Sequence, residues 1–285
     1  MLLVKVNATS ANVCVGFDVL GLALDLANEF SFEIKDEFSF KGFEPRYCKK
    51  EANLVYQAYT KYFEYINMEP VKVEIGFKGS IPVSRGLGSS SSLIVAGVFA
   101  ANAIMNNKLS KDELFNICAK IEGHPDNVAP AVYGGLIASY KKDDKYVPIS
   151  YPISDKLKFI VAIPAKAVAT HEARGVLPKA LEYKDIVNNL SRIVNLPKAF
   201  GEGDLDLLCD LFMDKLHEPY RGKLIPQYEK IKNVCTENKC AFAISGSGST
   251  MLIISYDNSI LDKLKGFDVE LKELKLGSGV QIREV

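Results

Sequence analysis

The stretch Ser84–Leu93, SRGLGSSSSL, places two glycines and five serines directly before a run of apolar residues. A helix that begins here leaves its first backbone N–H groups unpaired beside the positive end of its dipole, and glycine lets an anion approach the main chain closely. The chemistry that suits such a turn is phosphate binding. The pattern has neither the Gly-Lys-Ser/Thr ending of a Walker A loop nor the spacing of a dinucleotide fingerprint, so further positive charge has to come from elsewhere. Taken alone, the stretch fits equally well a serine-capped helix after a flexible turn.

A turn of this kind needs a buried helix behind it. Leu93 to Met105 is apolar on nearly every side, the mark of a helix enclosed by other elements. Ahead of it, LLVKV, EFSFEIK and VKVEIGF read as strands, and EANLVYQAYTKYFEYI has helical spacing. After it, SKDELFNICAKIEG opens on a capping box, Ser110 with Glu113, and closes at Gly123. GGLIASYKKDDKYVPISYPI reads as strand, charged turn and strand, and the lobe boundary is expected near it, at 152/153. KFIVAIP begins the second half as a strand. Helical stretches follow around HEARGVLPKAL, KDIVNNLSRIVNLPKAF and DLDLLCDLF, and AFAISGS, TMLIIS, VEL and GVQIREV complete that lobe. The expected fold class is α+β in two lobes, residues 1–152 and 153–285.

Composition narrows the function. The 285 residues suffice for two lobes with proper cores, and 48% hydrophobic with 25% charged residues is a globular profile. Basic and acidic residues balance at 35 each, without the basic excess that a nucleic-acid-coating protein uses to neutralise phosphates. No run is long and apolar enough for a membrane helix, and MLLVKVNATS lacks the pattern of a signal peptide. Six cysteines without a CxxC pair read as reduced thiols, which places the protein in the cytoplasm. With three histidines and no HExxH, a structural zinc site is not expected.

Around the turn lie TSANVCVGFDVLGLAL upstream, IEGHPDNVAPAVYGGL downstream and AISGSGSTMLI near the end. Together these resemble the three signature regions of the GHMP kinases, a family of small-molecule kinases. TSAN with GFD, then HPDNVAP, THEAR and EPYRGKLIP, occur in the order of its homoserine kinase branch, and the likeness covers nearly the whole chain. It departs at Ser249, where the family usually has proline, at Asn7, near a customary proline, and at Cys14, where glycine is common.

The resemblance implies a first lobe like the second domain of ribosomal protein S5 and a ferredoxin-like second lobe, with ATP and L-homoserine between them. It implies ATP-dependent phosphorylation of the homoserine side-chain hydroxyl, a step of threonine biosynthesis, and is compatible with a homodimer. By the same likeness Pro82, Val83, Ser84, Arg85, Gly86, Leu87, Gly88, Ser89, Ser90, Ser91 and Ser92 face the nucleotide. Asn53 belongs near the purine, and Ser90 and Glu122 are the ligands of magnesium. Homoserine carries a carboxylate, an ammonium and a hydroxyl, so its site needs cations, an anion and polar groups around a short chain. Arg174 and Arg221 suit the carboxylate and Asp18 the ammonium. Asn12, His124, Asp126, Asn127, Thr170 and Gly246 complete the expected substrate set. Thr170 and Arg174, four positions apart, share a face if THEAR is helical. Asp126 and Asn127 are expected to orient the hydroxyl rather than to act as a base, because phosphoryl transfer relies on positioning and charge neutralisation. Two alternatives stand beside this reading: a GHMP kinase for another hydroxyl substrate, and a non-catalytic nucleotide-binding protein on the same fold.

Overall fold

A computed structural model describes all 285 residues. The first lobe runs β1 (Leu2–Ala11), β2 (Leu20–Ile34), β3 (Ser39–Lys41), α1 (Leu54–Tyr65), β4 (Val73–Lys78), α2 (Ser89–Ile104), α3 (Lys111–Glu122), α4 (Val128–Tyr133), β5 (Leu136–Lys142) and β6 (Lys145–Tyr151). The second runs β7 (Lys158–Pro164), α5 (Thr170–Gly175), α6 (Tyr183–Ile193), α7 (Leu196–Glu202), α8 (Leu205–Leu211), α9 (Glu218–Arg221), α10 (Tyr228–Glu237), β8 (Ala241–Ile244), β9 (Met251–Ser255), α11 (Ser259–Leu264) and β10 (Val269–Leu274). A final strand, β11 (Gln281–Glu284), ends the chain.

The first sheet has the order β11-β1-β2-β4-β3, with β5 joined to the first part of β2 and β6 to β5. Its strands pair antiparallel except β3 with β4. The second sheet, β10-β7-β9-β8, is antiparallel throughout, and its β-α-β-β-α-β chain order is ferredoxin-like. The α+β, two-lobed expectation holds. One expectation fails: GVQIREV does not complete the second lobe, because β11 hydrogen-bonds along the free edge of β1. The cause is an edge strand that needs a partner, and only the returning tail supplies it.

The helical readings also need adjustment. HEARGVLPKAL yields a helix only through Gly175, since Pro178 cannot continue it. The long segment from Lys184 splits into α6 and α7, with Pro197 in the first turn of the latter.

Three cores result. Val4, Val6, Phe30 and Phe32 point from the first sheet into a core with α1, α2 and α3. A register shift between Asn7 and Ala8 bends the sheet, and beyond it Ala8, Leu20, Leu22 and Leu24 join a core that Phe159, Val161, Leu252 and Ile254 enter from the second lobe. The opposite face of the second sheet, including Ile160, Phe242 and Ile253, packs with α10 and α11. β8 and β9 are therefore buried on both faces and read as unbroken apolar runs. The shared middle core ties the walls of the interlobe cleft together.

Candidate active site

Gly88 caps the N-terminus of α2 with φ of 68°, and a Cβ there would fall 1.9 Å from Thr9 Oγ1, so any other residue would be strained and would displace that hydroxyl. The carbonyls of the turn are all engaged. Ser84 O accepts from Val168 N at 3.3 Å, Arg85 O from Thr250 N at 3.1 Å, and Gly86 O from Ser245 Oγ at 2.7 Å. Leu87 O accepts from Thr9 N at 3.2 Å, Gly88 O from Ser92 N at 3.0 Å, and Ser89 O from Ser92 Oγ at 2.7 Å. The amides behave oppositely: no acceptor in the chain receives the N–H of Gly86, Leu87, Gly88, Ser89, Ser90 or Ser91. Both lobes hold the turn by its oxygens and leave its donors without a partner in the chain, beside the positive end of the α2 dipole.

The serines divide their work. Ser90 Oγ and Ser91 Oγ donate to the two carboxylate oxygens of Glu122, at 3.0 and 2.8 Å. Glu122 is the last residue of α3, the helix that opens with the expected capping box, and so sits against the unfavourable end of its own helix dipole. Ser92 is structural: its hydroxyl receives Asn28 Nδ2 at 2.9 Å, while Asn28 Oδ1 accepts from Ser80 N and Ile81 N. Asn28 and Thr9 are not among the expected site residues, although Thr9 opens TSAN. Each is a fully buried polar side chain in a strand that carries other polar residues, so the sequence does not single it out.

Beyond the turn, Asn127 Oδ1 accepts from Thr9 Oγ1 at 2.7 Å. Asp126 is 2% exposed, and its Oδ1 lies 2.5 Å from His124 Nδ1. That hydrogen bond raises the His124 pKa above its ordinary value, against the opposing effect of burial. Across the cleft, Arg174 grips Asp18 with a two-pronged contact, Nη1 to Oδ2 at 3.1 Å and Nη2 to Oδ1 at 2.8 Å. Asn12 receives Asp18 N at 3.0 Å and donates to Gly246 O at 2.8 Å. Arg221 donates to Ala173 O and Gly246 O, each at 3.1 Å, and forms no ion pair. Burial, reinforced by repulsion from Arg174, lowers its pKa to about 10. Thr170 is exposed at the start of α5, on the helix that carries Arg174.

Two residues not foreseen complete this wall. The Phe17 ring lies 5.1 Å from the Arg221 guanidinium carbon and 5.9 Å from that of Arg174, and it stacks on His217 at 5.4 Å. His217 donates through Nε2 to Cys14 O at 2.8 Å.

Two expected nucleotide residues are occupied otherwise. Arg85 spends its guanidinium on Pro164 O, Val83 O and Ala165 O, which bolts the turn to the end of β7. Asn53 is buried as the N-cap of α1, accepting from Tyr56 N and donating to Tyr47 O. Both side chains are recruited by backbone groups that would otherwise be unpaired. Pro82 and Val83 lead into the turn, with Val83 exposed.

The chain matches two family models, GHMP kinases N terminal domain over residues 53–135 and GHMP kinases C terminal over residues 196–267. A homoserine kinase of Clostridium botulinum (strain Okra / Type B1) is 38% identical, with the whole of both chains covered. One of Clostridium beijerinckii is 41% identical over 96% of this chain and 93% of its own. The crystal structure of homoserine kinase from Cytophaga hutchinsonii superposes with a TM-score of 0.89 at 28% identity, covering 99% of this chain and 97% of that one. The mevalonate kinase of Methanococcus jannaschii, at 17% identity and a TM-score of 0.75 over 97% of this chain and 98% of its own, shares the fold.

Proposed function

The chain belongs to the GHMP kinase family, in its homoserine kinase branch, and from that premise we propose that it transfers the γ-phosphoryl group of ATP to the side-chain hydroxyl of L-homoserine, giving O-phospho-L-homoserine. The observation that carries the reading is the turn of residues 86–91, whose six amides have no acceptor in the chain while every neighbouring carbonyl is taken. Such amides donate to the β and γ phosphates. Pre-set donors lose little on reorganising as charge shifts from the γ-phosphorus toward the leaving ADP oxygen.

Ser90 Oγ and the Glu122 carboxylate form a hard-oxygen pair that suits magnesium, whose remaining ligands would be nucleotide oxygens and water. The bound ion supplies charge neutralisation for the phosphates. Ser91 fixes the second Glu122 oxygen, so the carboxylate is oriented before any ligand arrives. Asp126 and Asn127 position the acceptor hydroxyl. Each is already tied, Asp126 to His124 and Asn127 to Thr9, which favours orientation over proton abstraction. Asp18 takes the ammonium, and Arg174 with Arg221 takes the carboxylate. In the transfer the hydroxyl oxygen bonds to the γ-phosphorus as the bond to ADP breaks, and the hydroxyl proton leaves to a phosphoryl oxygen or solvent.

The two lobes, 1–152 and the segment from 153, divide the nucleotide and substrate contacts between them, and the tail returns to the first. No helix is long and apolar enough to cross a membrane. A homodimer belongs to the same reading, supported by Tyr183, Val187 and Leu190 of α6 and Val194 at its C-cap, which are exposed at helical spacing; sedimentation of the purified chain measures it. The test of function is purified protein with ATP and magnesium against homoserine, mevalonate and sugars. O-phosphohomoserine as the product is expected. Phosphorylation of another acceptor but not homoserine, or ATP binding without any product, overturns the reading.

A further inference from the structure

Asp18 and Arg174 come from opposite walls of the cleft yet are bound to each other by two hydrogen bonds of 3.1 and 2.8 Å. Their side chains are 35% and 39% exposed, so water and ligands reach the pair. An ion pair this exposed contributes little to holding the lobes together, and the shared apolar core already does so. The Asp18 backbone is anchored independently through Asn12. Beside the pair, Arg221 is 2% exposed and donates only to carbonyls, a buried cation with no carboxylate within ion-pair distance. The Phe17 ring reaches both guanidiniums, so an Arg174 side chain that swings off Asp18 still rests against a π face.

We infer that the Asp18–Arg174 pair is an internal stand-in for the head of an amino acid, which the substrate replaces by exchange. Its ammonium takes Asp18 while its carboxylate takes Arg174 together with Arg221. The inference rests on the proposed homoserine kinase reading and adds a selection rule to it. A ligand with both charges opens the pair and leaves nothing unpaired. An ammonium alone strands Arg174 beside a second arginine, and a carboxylate alone strands Asp18. Selectivity for a zwitterion thus comes from what a singly charged ligand must break as well as from what it lacks.

The exchange predicts gains of function. The probes are 3-amino-1-propanol, which is homoserine without its carboxylate, and 4-hydroxybutyrate, which is homoserine without its ammonium. Wild-type protein is expected to phosphorylate homoserine and to turn over either fragment poorly. Arg174→Gln frees Asp18 and should raise kcat/KM for 3-amino-1-propanol by about 10-fold over wild type; Asp18→Asn frees Arg174 and should do the same for 4-hydroxybutyrate, each being the size expected for releasing one charged contact. The mismatched combinations should show no gain. Folding of each variant is checked by the rise in melting temperature with ATP. Independently of any variant or turnover, methylammonium and acetate, small enough to lie side by side on Asp18 and on the two arginines, should together raise the wild-type melting temperature by more than the sum of their separate effects, since each releases the partner of the other. Absence of both matched gains in folded variants overturns the exchange, and so does strict additivity of the two ions. A wild-type protein that ignores homoserine while the two ions remain synergistic overturns the assigned function instead.

Discussion

Asp126 and His124 define the chemistry of the acceptor end at single-residue scale. A carboxylate with one oxygen already 2.5 Å from an imidazole nitrogen is held in a fixed orientation. Asp126→Asn, which keeps shape and removes charge, should therefore lower kcat by less than about 10²-fold, and a larger loss in steady-state kinetics would make Asp126 a true base. His124 has its pKa raised by that hydrogen bond, so its charged form persists to higher pH than in the unfolded chain. Its contribution is complete below the ordinary histidine value and fades as pH climbs through the raised one. Part of the thermal stability should accordingly be lost from neutral toward alkaline pH, and His124→Asn should make that decline shallower. A melting-temperature decline as steep in the variant as in wild type assigns it to another group. Much of this wall was legible in the sequence because charged and amide residues stand out in short motifs. Phe17 was not, although it is the middle residue of GFD, since an aromatic ring reads as core until two arginines are seen against it. Asn53 and Arg85 are expected near the nucleotide, and the hold their side chains take on backbone groups could not be read from sequence, because a polar residue in a short motif looks the same whatever it meets.

The turn depends on the helix that carries it, and that helix depends on a close contact. A Cβ on Gly97 of α2 would lie 2.4 Å from Val55 O and 2.8 Å from Tyr59 N of α1. Gly97→Ala should force the two helices apart and cost about 1–3 kcal/mol in urea unfolding, despite the better helix propensity of alanine. A neutral or stabilising result would mean that α1 yields without strain. At this scale the capping box of α3 and the enclosed character of α2 could be read directly, since both are local patterns. The early half of β2 and the helix α10 were missed. The leucines at 20, 22, 24 and 26 alternate and face the core shared by the two lobes, but they fall inside the TSANVCVGFDVLGLAL motif, whose reading as a site region hides the strand. α10 starts at Gln227 in a left-handed conformation with no capping side chain to announce it.

Across the whole molecule the two lobes share one apolar core, so a charge buried near their junction is felt by both. Glu218 is 3% exposed, accepts from Ile244 N at 2.6 Å, and has its pKa raised by burial to about 8. The folded chain then keeps a proton that the unfolded chain has already lost. Stability is complete below the ordinary glutamate value and declines as pH rises through about 8. Wild-type protein should melt at a lower temperature at pH 9 than at pH 6. Glu218→Gln, which retains an acceptor for Ile244, should flatten that decline and exceed wild type at pH 9 by about 4 °C. Parallel pH curves for the two proteins would place the titration elsewhere. The return of β11 to the first sheet was invisible in sequence for the opposite reason: its pairing with β1 is non-local, and no nearby pattern encodes it.

That pairing brings Met1 and Val285 together through reciprocal backbone hydrogen bonds, Met1 N to Val285 O at 2.8 Å and Val285 N to Met1 O at 2.9 Å. In effect the polypeptide is a ring with one seam. A circular permutant sealed there by a few glycines and reopened between Asp143 and Asp144, at the exposed tip joining β5 to β6, would keep every strand pairing and should retain ATP-dependent turnover.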